Sequence, residues 1–181
     1  MNAQKKVFIQ YLAVVIFFLI IHASVGSGKK TENYLHFTSK DIGMEGFTLT
    51  HIEAVKHNMT TAGKQYISIV IQLANYDSMG RSYHPNPIEE GQRRVMISFS
   101  GPAGKKLKAG FYSVDGAMAK DYRLSVGIEK KGKSIGLYNG TGSGEILSID
   151  DKTITGTVDV KDEKGTSIKA TFSTPWEKSR Y

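Results

Sequence analysis

The chain has 181 residues, with 24 Lys plus Arg against 17 Asp plus Glu and a formal net charge of +7. Hydrophobic residues make up 40% and charged residues 23%, which excludes a disordered chain and fits a globular domain. The absence of cysteine excludes a disulfide scaffold, thiolate metal sites, a cysteine nucleophile and a lipid anchor through cysteine.

The first element reads as a leader. Lys5 and Lys6 precede an apolar run, Val7 to Ile21, interrupted only by Gln10, and small or polar residues follow from His22 to Gly28. This is the layout of a secretory signal peptide with its signal helix. Fifteen helical residues span about 22 Å, short of a hydrocarbon core about 30 Å thick, so cleavage is expected and no membrane span after it. Residues 1–26 are assigned to the signal peptide, which leaves 155 residues and, without Lys5 and Lys6, a net charge of +5. The expected location is the periplasm or the extracellular space. Residues 27–45 are polar and aperiodic and read as a linker or loosely docked arm. The folded domain is placed at 46–176, with a tail at 177–181.

From Gly46 the period is two. Phe47, Leu49 and His51 alternate with Thr48, Thr50 and Ile52, and Ile67, Ile69, Ile71 and Leu73 with Tyr66, Ser68, Val70 and Gln72. Val95, Ile97 and Phe99 repeat the pattern, as do Leu124, Val126 and Ile128, then Val158 and Val160, then Ile168, Ala170 and Phe172. Such alternation between Gly, Asn and Asp boundaries marks half-buried antiparallel strands. Nine are expected, over 46–55, 64–75, 92–100, 107–114, 121–129, 134–139, 144–149, 153–160 and 166–173. One helical turn could form at 116–121. The fold class is all-β, an antiparallel β-sandwich of about nine strands, with a closed up-and-down β-barrel as the alternative. The long connection 76–92 contains Pro85 and Pro87 and suits a loop between two sheets.

In the C-terminal half, Leu107-Lys108-Ala109-Gly110-Phe111-Tyr112 is followed by Gly142-Ser143-Gly144-Glu145-Ile146, Ile154-Thr155-Gly156-Thr157-Val158 and Thr171-Phe172. This order resembles uncharacterised exported β-sandwich domains of bacteria, over residues 95–173. The resemblance implies an exported bacterial protein and brings no catalytic residue with it.

Motifs with chemical potential are few. Gly132-Lys133-Ser134-Ile135-Gly136 matches G-x-S-x-G, but a nucleophile elbow needs a strand-to-helix turn, and a glycine-rich hairpin is expected here. His36, His51, His57 and His84 show no metal-ligand spacing. His84 neighbours Asp77, Glu89 and Glu90 in the long loop, and a solvated loop is the favoured reading. Asp159, Asp162 and Glu163 read as turn charges without the order of a calcium loop. Gly136, Gly140, Gly142 and Gly144 read as turn and bulge glycines. Trp176 is expected to cover the end of the core rather than stack on a sugar. No catalytic residue, metal or cofactor is assigned.

Charge supplies a sharper expectation. If every strand reverses at its connection, alternate loops share an end. One end then gathers Lys56, Lys64, Lys105, Lys106, Lys130, Lys131, Lys133 and Lys152 against Asp150 and Asp151, eight charges against two, a net of +6. The other gathers Arg81, Lys120, Lys161 and Lys164 against Asp77, Glu89, Glu90, Asp115, Asp121, Asp162 and Glu163, four against seven, a net of −3. The lysine end, with Lys56, Lys64, Lys105, Lys106, Lys130, Lys131 and Lys133 as candidate anion-binding residues, would attract an anionic glycan, a lipid head group or an acidic protein. A non-enzymatic exported binding domain is the leading functional expectation. The alternatives are an extracytoplasmic hydrolase using Ser134 and a small-ligand carrier with a barrel cavity. Nucleic acid is not expected, because no aromatic RNA-binding strand motif or helix-turn-helix pattern is present.

Overall fold

Strand-forming residues dominate the chain from Tyr34 to Lys178, and they assemble into a single mixed sheet. The structure is a computed structural model and describes residues 32–61, 63–77, 89–114, 122–137 and 140–178. The expected signal peptide, the turn at 116–121 and His84 lie outside these residues. Ten strands are present among them: β1 Tyr34–Thr38, β2 His51–Thr61, β3 Lys64–Ala74, β4 Arg93–Pro102, β5 Gly110–Ser113, β6 Arg123–Lys130, β7 Lys133–Gly136, β8 Thr141–Ile149, β9 Thr153–Lys161 and β10 Ser167–Lys178. No described residue is helical.

The strand order is β5-β8-β9-β10-β2-β3-β4-β6-β7, with β1 also paired to β10. The sheet curls strongly into a half-barrel, so its two halves face each other across one core. Ile69, Ile71, Leu73, Val95, Ile97, Phe99, Leu124, Val126 and Ile128 line one half. Ile146, Ile154, Val158, Val160, Ile168, Ala170 and Phe172 line the other. These are the inward positions that the alternation marks. Burying such side chains contributes about 1.5–3 kcal/mol each, which allows a stable core without disulfides.

Two glycines make space in the core, Gly144 for the opposite half of the sheet and Gly156 for a ring on the neighbouring strand. A Cβ on Gly144 of β8 would stand 3.0 Å from Phe99, Leu124 and Val158 side-chain atoms. On β9, a Cβ at Gly156 would meet the Glu145 carbonyl oxygen and lie 2.7 Å from Phe172 Cζ. Both glycines therefore make room for the aromatic group at the centre, where Phe99 lies 5.1 Å edge-on from Tyr112 and 6.0 Å from Phe172. The expectation of turn and bulge glycines does not describe Gly144, which lies on the inward face of β8.

Three boundaries differ from the sequence reading. Over its described part, the arm at 27–45 is integral to the fold. Residues 34–38 pair with Ser167–Thr171 of β10, and Leu35, Phe37 and Ile42 are buried. Phe37 also contacts Phe47 edge-on at 5.4 Å, so 39–50 closes the core beside β1. The first expected strand, 46–55, begins instead at His51, and its inward face holds Ile52, Ala54 and Lys56, opposite Leu73, Ile71 and Ile69. His51 thus faces outward, where its Nε2 lies 3.2 Å from Asp77. Finally, the last strand does not stop at 173. It continues through Pro175 and Trp176, and residues 176–178 pair in parallel with Ala54–Lys56.

The parallel β2–β10 pairing overturns the simple meander. Following the pairings, β5 and β6 take the same sense in the sheet, as do β7 and β8. Alternate loops consequently do not share an end. Lys130 is opposite Arg93, whereas Lys64 stands at the far end of β3 near Pro102 of β4.

Candidate functional site

The open end of the half-barrel, beside the β2–β3 hairpin and the turns at 102–107 and 150–152, holds a cavity of about 240 Å³. Its apolar wall is Ile67, Ile69, Leu107 and Ile149, and Lys56, Lys106, Asp150, Asp151 and Trp176 complete it. Each member is placed by a local cause. Lys56 stands on the inward face of β2, so its ammonium reaches the mouth of the core over an apolar stem. Trp176 shares the inward parity of Phe172 on β10 and packs against the core end. Its backbone N–H donates to the Lys152 carbonyl at 2.9 Å, and its indole Nε1 donates to the Asp150 carbonyl at 3.0 Å. Lys56 Nζ lies 5.4 Å from the Trp176 ring centroid, within cation–π range. Trp176 covers the end of the core, as expected from sequence, and it also forms a wall of the cavity.

Asp150 belongs to the turn more than to the rim. Its Oδ1 accepts from the Lys152 and Thr153 amides, each at 2.7 Å. These backbone hydrogen bonds hold its carboxyl below the usual aspartate range, aided by the nearby Lys152 charge. In the β9–β10 turn Asp162 Oδ1 likewise accepts backbone amides, from Lys164 at 2.9 Å and Thr166 at 2.7 Å.

The seven candidate lysines divide between two ends. Lys56 and Lys106 border the cavity. Lys64 and Lys105 flank it, because the Ala103 amide donates to the Gln65 carbonyl at 3.2 Å and ties the 102–105 turn to the start of β3. With Lys152 the connections 56–64, 101–107 and 150–152 at this end carry five lysines against two aspartates, a net of +3. Lys130, Lys131 and Lys133 lie at the opposite end of β3, β4 and β6, where the meander would have put the acidic loops. There Lys131 is 3.7 Å from Glu90 and Lys133 is 2.9 Å from Asp41. The Lys133 hydrogen bond and charge hold Asp41 below the usual carboxylate range.

Ser134 sits in the β6–β7 hairpin, after a turn in which Gly132 has φ 67°. Its hydroxyl donates to Glu129 Oε1 at 3.4 Å. His51, Ala74, Arg94, Glu129 and Ser134 form one row across β2, β3, β4, β6 and β7. Four strand spacings separate His51 from Ser134, about 19 Å along the sheet and far beyond hydrogen-bond reach. The same row holds a buried charge pair. Arg94 is buried, its Nη2 donates to Glu129 Oε2, and its Nη1 donates to Gln72 Oε1 at 2.7 Å. Among the described residues no group of three or more His, Asp or Glu is arranged to hold a metal ion.

Comparison of the chain with protein-family models, curated proteins and solved structures finds no match. The site is therefore read from its own geometry.

Proposed function

We propose that the chain is an exported, non-catalytic β-domain that binds an anionic amphiphile, such as a lipid head group with part of its acyl chain, at the lysine-edged end. Lys56 supports this reading most directly, since it sets an ammonium at the mouth of an apolar cavity whose walls are isoleucine and leucine. Apolar groups of the ligand would displace water from Ile67, Ile69, Leu107 and Ile149, while Lys56 and Lys106 would hold the anionic head. Lys64 and Lys105 extend the positive field around the mouth and raise the encounter rate at low salt. Export rests on the leader pattern of residues 1–26.

Trp176 is the only tryptophan, so its emission reports on the cavity directly. Titration with decyl phosphate should shift that emission and weaken as salt rises. Lys56→Glu combined with Lys106→Glu should weaken binding roughly tenfold or more, about 1.4 kcal/mol. Equal binding of decyltrimethylammonium, or no change in emission with either ligand, would refute the proposal.

A further inference from the structure

We propose that the outer face of β5, β8, β9, β10 and β1 binds a neutral saccharide chain, at a site separate from the lysine-edged cavity. The pairing registers align Phe111, Glu145, Thr157, Thr171 and Tyr34 in one row across these five strands. Outward parity sends all five side chains to the same face. Phe111 is 74% exposed and Tyr34 49% exposed, and both border one groove of about 250 Å³. A 74% exposed phenylalanine adds little to the core, and two exposed rings on one groove are what the faces of sugar rings require for apolar stacking.

The polar members of the groove suit the same occupant. Glu145 and Asp159 offer carboxylate acceptors, Lys169 offers ammonium donors, and Thr157 and Thr171 offer hydroxyls that act both ways. Sugar hydroxyls donate and accept, so they match this mixed set. Lys169 Nζ lies 3.2 Å from Asp159 Oδ2, which largely balances that pair and leaves Glu145 as the excess charge. The groove is therefore slightly acidic and repels sulfated or carboxylated chains. This separates it from the lysine-edged end, which would favour them. Four strand spacings, about 19 Å along the sheet, separate the two rings, so they would stack on different sugar units of one extended chain.

The test is affinity gel electrophoresis of the full chain in gels containing hydroxyethylcellulose, soluble starch or xylan, with carboxymethylcellulose as the charged counterpart. The expected result is retardation by at least one neutral polysaccharide, whereas any retardation by carboxymethylcellulose comes from the lysine-edged end and is not lowered by Phe111→Ala or Tyr34→Ala. Phe111→Ala and Tyr34→Ala should each weaken the retardation roughly tenfold, while the circular dichroism spectrum stays unchanged because both residues are exposed. Lys56→Glu with Lys106→Glu should leave it intact, which keeps this site distinguishable from the cavity. Three results would overturn the proposal. One is no retardation by any neutral polysaccharide, and another is retardation that survives both aromatic substitutions. The third is concentration-dependent self-association that Phe111→Ala abolishes, which would make the face a contact between copies of the chain.

Discussion

Replacing Arg94 by Met removes the guanidinium and keeps most of its apolar stem. Arg94 is 1% exposed and the Glu129 side chain only 13% exposed, so the carboxylate left behind has little access to water. Gln72 Oε1 also loses its donor. Breaking a buried ion pair on one side costs about 3–5 kcal/mol. Glu129 retains some water and the 3.4 Å hydrogen bond from Ser134, which places the expected loss near the lower figure, about 3 kcal/mol. For a domain of this size each kcal/mol moves Tm by about 2–4 °C, so a fall of about 6–12 °C is expected. The companion variant, Arg94→Met with Glu129→Leu, removes both charges of the pair and should lie within about 1 kcal/mol of the parent. Urea unfolding followed by circular dichroism gives both values, and the double-mutant cycle gives the coupling. A loss under about 1 kcal/mol for Arg94→Met, or a double variant equal to the sum of the single ones, would refute the argument.

Other expectations concern the core and its turns. Gly156→Ala should cost about 1–3 kcal/mol, because the new methyl meets the Glu145 carbonyl and the Phe172 ring; an unchanged urea midpoint would show that the two strands have room to move. The Tyr112 hydroxyl donates to the Lys108 carbonyl at 2.9 Å and accepts from the Lys108 amide at 3.1 Å, so Tyr112→Phe should cost about 1–2 kcal/mol in the same assay. Burial raises the Tyr112 phenol above its ordinary value despite the lowering by the Lys108 backbone. The unfolded chain then loses its phenolic proton first, so this stabilisation is complete below a pH of about 10 and declines as pH rises through the folded value. Asp150 behaves in the opposite sense. Its lowered value means that the turn's contribution is complete above a pH of about 4 and is lost as pH falls through the folded value. In an NMR titration the Asp150 carboxyl and the Lys152 and Thr153 amides should share a midpoint below that of an ordinary aspartate.

Period-two alternation made the inward faces of β3, β4, β6, β9 and β10 legible, since Ile69, Val95, Leu124, Val158 and Ile168 follow from local pattern alone. Near the termini the pattern was weaker. Tyr34–Thr38 is short and lies among polar residues, so its pairing with β10 left little local trace. Pro175 read as a strand end, yet β10 continues through it to pair with β2, because the side of Pro175 away from β9 falls between the end of the β1 pairing at Thr171 and the start of the β2 pairing at Trp176, where no ladder N–H is needed. The glycine-rich segment read as turns, but Gly144 is inward and buried because the opposite half of the sheet presses against it.

The candidate sites divide in the same way. Lysine content, the lone Trp176, the absence of a convincing catalytic motif and the all-β class are properties of residue identity and spacing. Which lysines meet is a matter of strand neighbours. The parallel β2–β10 pairing brings Lys56 and Trp176 together, and the β6–β7 hairpin takes Lys130, Lys131 and Lys133 to the other end. Alternation says which side of a strand is buried. It does not say which strand lies beside it, because pairing partners are chosen by contacts between residues far apart in the chain. That choice decided where the charges gather and aligned Phe111 with Tyr34.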